Sequence, residues 1–351
     1  MTIKKKVSVE LVILICFLCV FVVTWQGAHG SLRKNPSSKV VMRSYAILAR
    51  RPDVYNRITR KDIDANRFFK ILKEYGPNVI VNPIFWYDWV DWHLVSADGY
   101  SDAKQYKIDS KRALNNLMQL RRGDIVYVET VMLDSFCKIA DNLKTKIILV
   151  TGRRHLPTVK AGICANSILE NQWIVHWFTQ NPLPISNPKY HAIPYGVRRG
   201  HVSALHAELL LGDLPRTEEV MHRGLANTHK SRVPLIQHMD PKASLTKFYH
   251  EMHTSIAVIS PHGDRWDCYR HAEAILLGCH PLGTMLNPMY TTFYPLGVFI
   301  NMTSTELLSV ARSRHLNGTH LQSITSAERL RFLKPYWYFK IQDLVRQLIQ
   351  K

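Results

Sequence analysis

Residues 255–283 read SIAVISPHGDRWDCYRHAEAILLGCHPLG, and the order of residue types sets out a strand, a polar loop, a short helix and a second strand. Ile256 to Ile259 is apolar and partly β-branched and stops at Ser260 and Pro261, as a parallel strand covered on both faces does. The loop His262, Gly263, Asp264, Arg265, Trp266 runs into Asp267, a residue type that caps helices, so the helix is expected to begin at Cys268. Gly278 follows the last apolar pair, Leu276 and Leu277, where a left-handed residue closes a helix. In open α/β sheets ligands sit beyond the carboxyl ends of the strands. A helix start there offers free N–H groups and positive partial charge to a diphosphate.

Arg270 falls in the first turn of this helix and can add a bidentate contact to the same phosphates. Glu273, one turn on and on the same face, can accept hydrogen bonds from a ribose diol. The alternative is a surface ion pair at i, i+3, worth only about 0.2–0.5 kcal/mol.

The stretch resembles the exostosin-like glycosyltransferases, which carry a strand, P-x-G, a short loop and x-R-x-x-E-A-[LI]-x-x-G-x-x-P. Here those positions are Pro261, Gly263, Arg270, Glu273, Ala274, Ile275, Gly278 and Pro281. The resemblance implies an α/β fold of two Rossmann-like domains facing each other across a cleft, the glycosyltransferase B type, with this segment in the C-terminal half holding a nucleotide sugar. It implies that Arg270 holds the diphosphate and Glu273 the ribose, and that no metal or other cofactor is required. A looser match covers Val126 to Gly196, including Asn181, and the pair Tyr336 and Trp337. His280 departs from the pattern, standing where the family has an aliphatic residue.

The chain start fits an exported protein. Lys4, Lys5 and Lys6 precede Val7 to Trp25, whose only charge is Glu10. That run suits a membrane-spanning signal-anchor over 7–25, with residues 1–6 cytosolic and the remainder lumenal in the Golgi or endoplasmic reticulum, a single-pass type II arrangement. A cleaved signal peptide is the rival, since Ala28-His29-Gly30 is a small-x-small pattern. Asn301-Met302-Thr303 and Asn317-Gly318-Thr319 are glycosylation acceptors for that compartment. Outside the apolar run stand Cys137, Cys164, Cys268 and Cys279. Cys268 and Cys279 would be separated by a helix of roughly 16 Å, too far for a bridge. Cys137 with Cys164 is the expected pair, free buried thiols being the alternative.

A formal charge of +19 favours an anionic partner such as the nucleotide or an acidic or phosphorylated glycan, or else serves solubility. Nucleic acid is excluded as a partner for an exported chain with no nucleic-acid module.

Residues 26–40 are read as a stem, 41–195 as an N-terminal acceptor-side domain and 196–351 as the nucleotide-sugar domain. In the first, Asn78 to Val81 is a short apolar segment, Asp124 to Val128, Lys146 to Val150 and Ile174 to Phe178 read as strands, and Val131 to Leu143 as a helix. In the second, Leu225 to Thr228 reads as a further strand, with His229, Lys230 and Arg232 at its carboxyl end. Pro335 opens a last helix, Tyr336 to Gln350.

Sugar transfer with inversion also needs a base. The candidates are Glu129, at a strand end, Asp91, in the run Trp86 to His93, and His155, after another strand end. The three tryptophans Trp86, Trp89 and Trp92 form either a sugar-stacking acceptor platform or one face of a buried helix. Asp62-Ile63-Asp64, the nearest approach to a metal-binding dyad, sits at a helix start among Arg60, Lys61 and Arg67 and reads as structural. The best reading is a membrane-anchored glycosyltransferase, moving a hexose or pentose from a nucleotide sugar to a glycan or polysaccharide. A non-catalytic glycan-binding protein on the same scaffold is the alternative. A sulfotransferase fits less well, because no phosphate-binding loop follows the stem.

Overall fold

The computed structural model describes residues 44–48, 58–83, 90–96, 110–152, 162–284, 287–295, 297–316 and 321–350. Ten strands in that region make two sheets. The first holds β1 (Ser44–Leu48), β2 (Trp92–Ser96), β3 (Ile125–Glu129), β4 (Ile147–Gly152), β5 (Ile174–Thr179) and β6 (Tyr190–Ala192), lying side by side in chain order. All pair in parallel except β1, which runs antiparallel to β2. The second holds β7 (Glu218–Met221), β8 (Ser255–Ile259), β9 (His280–Gly283) and β10 (Ile300–Asn301), again parallel and sequential.

The expectation of parallel α/β sheets therefore holds, but the strand order differs from a Rossmann sheet. Among the described residues neither sheet reverses its order, so there is no topological switch point to place a ligand crevice. The crevice has to be made by the strand ends and the helices that follow them.

Burial explains why these segments are strands. Every residue of β3 and β4 is buried, as continuous Ile/Val/Leu runs covered on both faces require. One cluster of buried side chains runs from the first sheet (Tyr127, Val150, Phe178) to Val258 of the second and the segments packed on it (Ile275, Tyr290), and takes in Trp337 and Ile341 of the last helix. Two further clusters cover the outer faces, one around Trp92, Phe136 and Trp177 and one around Ala257, Ile259 and Leu307.

The helix Lys334–Gln350 returns to the first sheet, where Val345 and Ile349 lie 3.2 Å from where a Cβ on Gly123 would stand and Arg122 Nε donates to the Leu348 carbonyl at 2.6 Å. Cys137 and Cys164 form the expected disulfide, with Cα atoms 5.7 Å apart, while Cys268 and Cys279 are free. The expected boundary glycine, Gly196, has φ 81°, and a Cβ there would stand 2.4 Å from the Val81 carbonyl oxygen. Only glycine lets the two segments approach so closely.

Three expectations are corrected. Leu225 to Thr228 is not a strand; the strand is Glu218–Met221, and the left-handed Gly224 (φ 62°) ends the extended run before Leu225. Trp92 belongs neither to a platform nor to a helix: it opens β2 with no exposed surface, packed against Phe136 at 6.3 Å. The crevice helix spans Tyr269–Leu276, and its N-cap is Cys268 rather than Asp267. The expected signal-anchor over 7–25, Trp86, Trp89, His155 and Asn317 lie outside the described residues. Among the described residues no helix is long and apolar enough to cross a membrane.

Candidate functional site

The Tyr269–Leu276 helix leaves β8 through the loop 260–268, whose conformation is held from inside. Asp267, 1% exposed, accepts from the Tyr195 amide at 2.7 Å and from the Tyr294 hydroxyl at 2.5 Å. His271 reaches back to the Ser260 carbonyl with Nε2 at 2.8 Å. Arg232 clamps the start of the loop, donating to the carbonyls of Pro261 (2.7 Å), His262 (3.0 Å) and Ala226 (3.2 Å). A Cβ on Gly263 would stand 2.9 Å from Thr228 Oγ1 and 3.2 Å from Arg232 Nη2, so the glycine lets the clamp close.

A cavity of about 380 Å3 opens between this helix and the segments that follow β7. Arg198, Arg232, Lys242 and Arg270 bring positive charge to it, Glu273 the carboxylate, and Phe248 an aromatic wall. Arg270 and Glu273 are not an ion pair. The Arg270 guanidinium lies over the Phe248 ring at 5.4 Å and donates to the carbonyls of Ile259 (3.1 Å) and Gly224. Those two bonds fix its aim and leave part of the five-donor fork for a ligand.

Glu273 is 4% exposed. Its Oε1 accepts from the Tyr249 hydroxyl at 3.0 Å and lies 3.7 Å from His201 Nδ1. Burial pushes the carboxyl up to about 7 against the pull of Tyr249 and Arg270. Burial also lowers His201, so the ring beside Glu273 is neutral near pH 7. At the helix start burial opposes ionisation of the Cys268 thiol, but His271 and Arg232 together draw it down to about 6.

The expected site residues fall into two groups. Arg232, Arg270 and Glu273 share the cavity, with Gly263 packed against Arg232. His262 faces elsewhere, onto a separate cavity of about 200 Å3 with Ser231, Thr284 and Thr305; its ring packs on His229 at 4.5 Å, and burial lowers it to about 4. Glu129 ends β3 at the carboxyl edge of the first sheet, 2% exposed, and does not line the cavity. Asp91 stands at the amino edge of that sheet, where Oδ2 accepts from the Ile125 amide at 2.8 Å, so the structure does not bring it to the site. Asn181 takes the left-handed turn its type favours (φ 50°) and accepts from the Tyr290 hydroxyl at 3.2 Å. Asp62 completes a capping box with Thr59 and pairs with Lys70 at 3.0 Å, contacts that hold its carboxyl well below the usual range. Asn301 is exposed, and Thr303 of its acceptor motif caps the next helix.

Arg198, His201, Lys242 and Phe248 went unremarked as site residues in the sequence. They come from three segments with no short motif, and only a knowledge of which segments flank β8 would have singled them out. No protein family and no curated protein matches the chain. Among solved structures it is similar to a protein of the GtfA/B complex, with 11% identity and a TM-score of 0.39, over 74% of this chain and 63% of that one. The chain thus spans less than two thirds of that protein, and a likeness so loose bears on neither fold nor activity.

Proposed function

We propose that this chain is an exostosin-like glycosyltransferase of the two-domain B type, moving a hexose or pentose from a nucleoside diphosphate sugar to a glycan acceptor in the secretory pathway. The observation that carries the reading is the opening of Arg270 and Glu273 of one helix into a single cation-rich cavity beyond the carboxyl ends of β7 and β8. The helix start and Arg270 meet the diphosphate, with Lys242 and Arg198 adding charge that stabilises it as it leaves. Glu273 receives the ribose hydroxyls, and Phe248 offers a face for stacking. These groups do the neutralising that a divalent ion would otherwise do. Anchorage by residues 7–25 and a charged glycan acceptor belong to the same proposal, consistent with the +19 charge.

Calorimetric titration of the full chain with UDP and GDP tests it, comparing wild type with Arg270→Ala and Glu273→Ala. Micromolar binding of one nucleotide, weakened in both variants, is expected. Binding of neither nucleotide, or binding indifferent to both substitutions, overturns the reading.

A further inference from the structure

A second cavity, also about 380 Å3, lies at the opposite end of the same sheet, beside the amino ends of β8 and β9. Arg216, Arg329, Asp213, Gly278, His280 and Ser323 are among its lining residues. Two guanidinium groups converge there. A Cβ on Gly278 would stand 2.3 Å from Nη2 of Arg329 and 2.5 Å from Nη2 of Arg216, so both cations press on the bare face of one glycine.

Arg216 is engaged. Its Nη1 donates to the carbonyls of His253 and Ser255, and its Nη2 to those of Leu277 and Gly278, both at 2.9 Å. The carbonyls of His253, Leu277 and Gly278 close the helices Leu245–His253 and Tyr269–Leu276, where a cation is well placed, and that of Ser255 opens β8.

Arg329 is not. It is 4% exposed, and its Nη1 donates to Asp213 at 2.7 Å, a carboxylate that is itself 59% exposed. Its Nε is buried without a partner, and Nη2, which packs on Gly278, makes no hydrogen bond among the described residues. Nε–H and Nη2–H together form the side edge of the fork, which grips an oxyanion through two parallel bonds. Phe68 and Phe69, 5.8 and 5.7 Å from the guanidinium carbon, hold it in place. His280 faces backbone carbonyls with both ring nitrogens, Val298 at 3.0 Å and Gln322 at 2.9 Å, and acts as wall. The buried Nε–H with no acceptor carries its desolvation penalty uncompensated, and two arginines against one exposed carboxylate leave the cavity net positive.

We propose that this cavity is a second anion site, taking a tetrahedral oxyanion, phosphate or sulfate, on the Nε/Nη2 edge of Arg329. The ion is either free or carried as an ester on a sugar, for which the volume is sufficient. The Tyr269–Leu276 helix then has a nucleotide at its start and this anion at its end. Because the two cavities share no lining residue, the site does not depend on the nucleotide reading.

The test is calorimetry on the full chain with inorganic phosphate, inorganic sulfate and N-acetylglucosamine 6-sulfate, in wild type and in Arg270→Ala, where the first cavity has lost its chief anion ligand. Saturable one-to-one binding with Kd on the order of 0.1–1 mM is expected in Arg270→Ala. Adding Arg329→Gln should weaken it at least tenfold. Ser323→Glu, which brings a carboxylate to the exposed lip without touching the core, should do the same in both backgrounds, so the comparison survives if Arg270→Ala or Arg329→Gln misfolds. A tighter ester assigns the site to a charged glycan, and a tighter inorganic ion to free phosphate or sulfate. Lack of saturation, or saturable binding unchanged by Ser323→Glu, overturns the proposal.

Discussion

The two arginine-lined cavities of the second sheet have nearly equal volumes, yet they meet opposite ends of one helix, and that decides what their arginines do. At the start of Tyr269–Leu276 the backbone presents N–H groups, so Arg232 and Arg270 reach to loop and strand carbonyls for support and still leave positive charge facing the cavity. At its end the backbone presents carbonyls, and these absorb Arg216. Only one edge of Arg329 is left over. The same residue type beside the same sheet thus serves as a ligand group at one end and as a helix cap at the other. Counting arginines would not have told them apart; the direction of the helix does.

The largest effect that could break this contrast is on nucleotide affinity. Arg270→Ala should weaken UDP or GDP binding about a hundredfold, near 3 kcal/mol by calorimetry, since it removes a charge-assisted contact at the helix start. Arg216→Met should leave that affinity within about threefold but lower stability by about 2–3 kcal/mol in urea melts, because four carbonyls, three of them at helix ends, lose their donor. If Arg216→Met abolished nucleotide binding in a chain that still folds, the division of labour between the two ends would be wrong.

Gly278→Ala should cost about 1–3 kcal/mol in the same melts. The position is left-handed (φ 72°), and the new methyl would collide with both guanidinium groups. It should perturb the second cavity more than the first, which anion and nucleotide titrations would show side by side.

The smallest effect sharpens the first cavity alone. Burial pushes Glu273 up to about 7 from its ordinary 4.5, so folding favours its protonated form. Its contribution to stability is full below about pH 4.5 and is lost as pH rises through 7. A bound ribose donates to the carboxylate and favours the ionised form, so nucleotide affinity should rise between pH 6 and 8 with release of a proton. Glu273→Gln should flatten both profiles, and an unchanged pH dependence in that variant would show that Glu273 does not meet the ligand.

Much of this was legible in residue order. The strand β8, the polar loop and the closing Gly278 follow from local rules, because apolar runs, capping types and left-handed glycines act over a few residues. The helix between Cys268 and Cys279 ruled out a bridge there, Cys137 with Cys164 was the expected pair, and the structural part played by Asp62 followed from its place at a helix start. Local rules failed where neighbours outside the segment decide. Leu225 to Thr228 has strand-like residues but follows a left-handed glycine, and Asp91, inside the candidate platform run, lies at the amino edge of its sheet, where it accepts from the Ile125 amide.

By itself the sequence determined which short segments are strands and helices, and that Arg270 and Glu273 share a helix face, since spacing of three residues sets that wherever the helix lies. The tertiary structure alone decided that Arg198, His201, Lys242 and Phe248 surround that face and that Arg216 and Arg329 meet over Gly278. Those contacts join positions scores of residues apart, and their partners are chosen by how the sheets stack and which carbonyls each helix end exposes, information that no window of the chain contains.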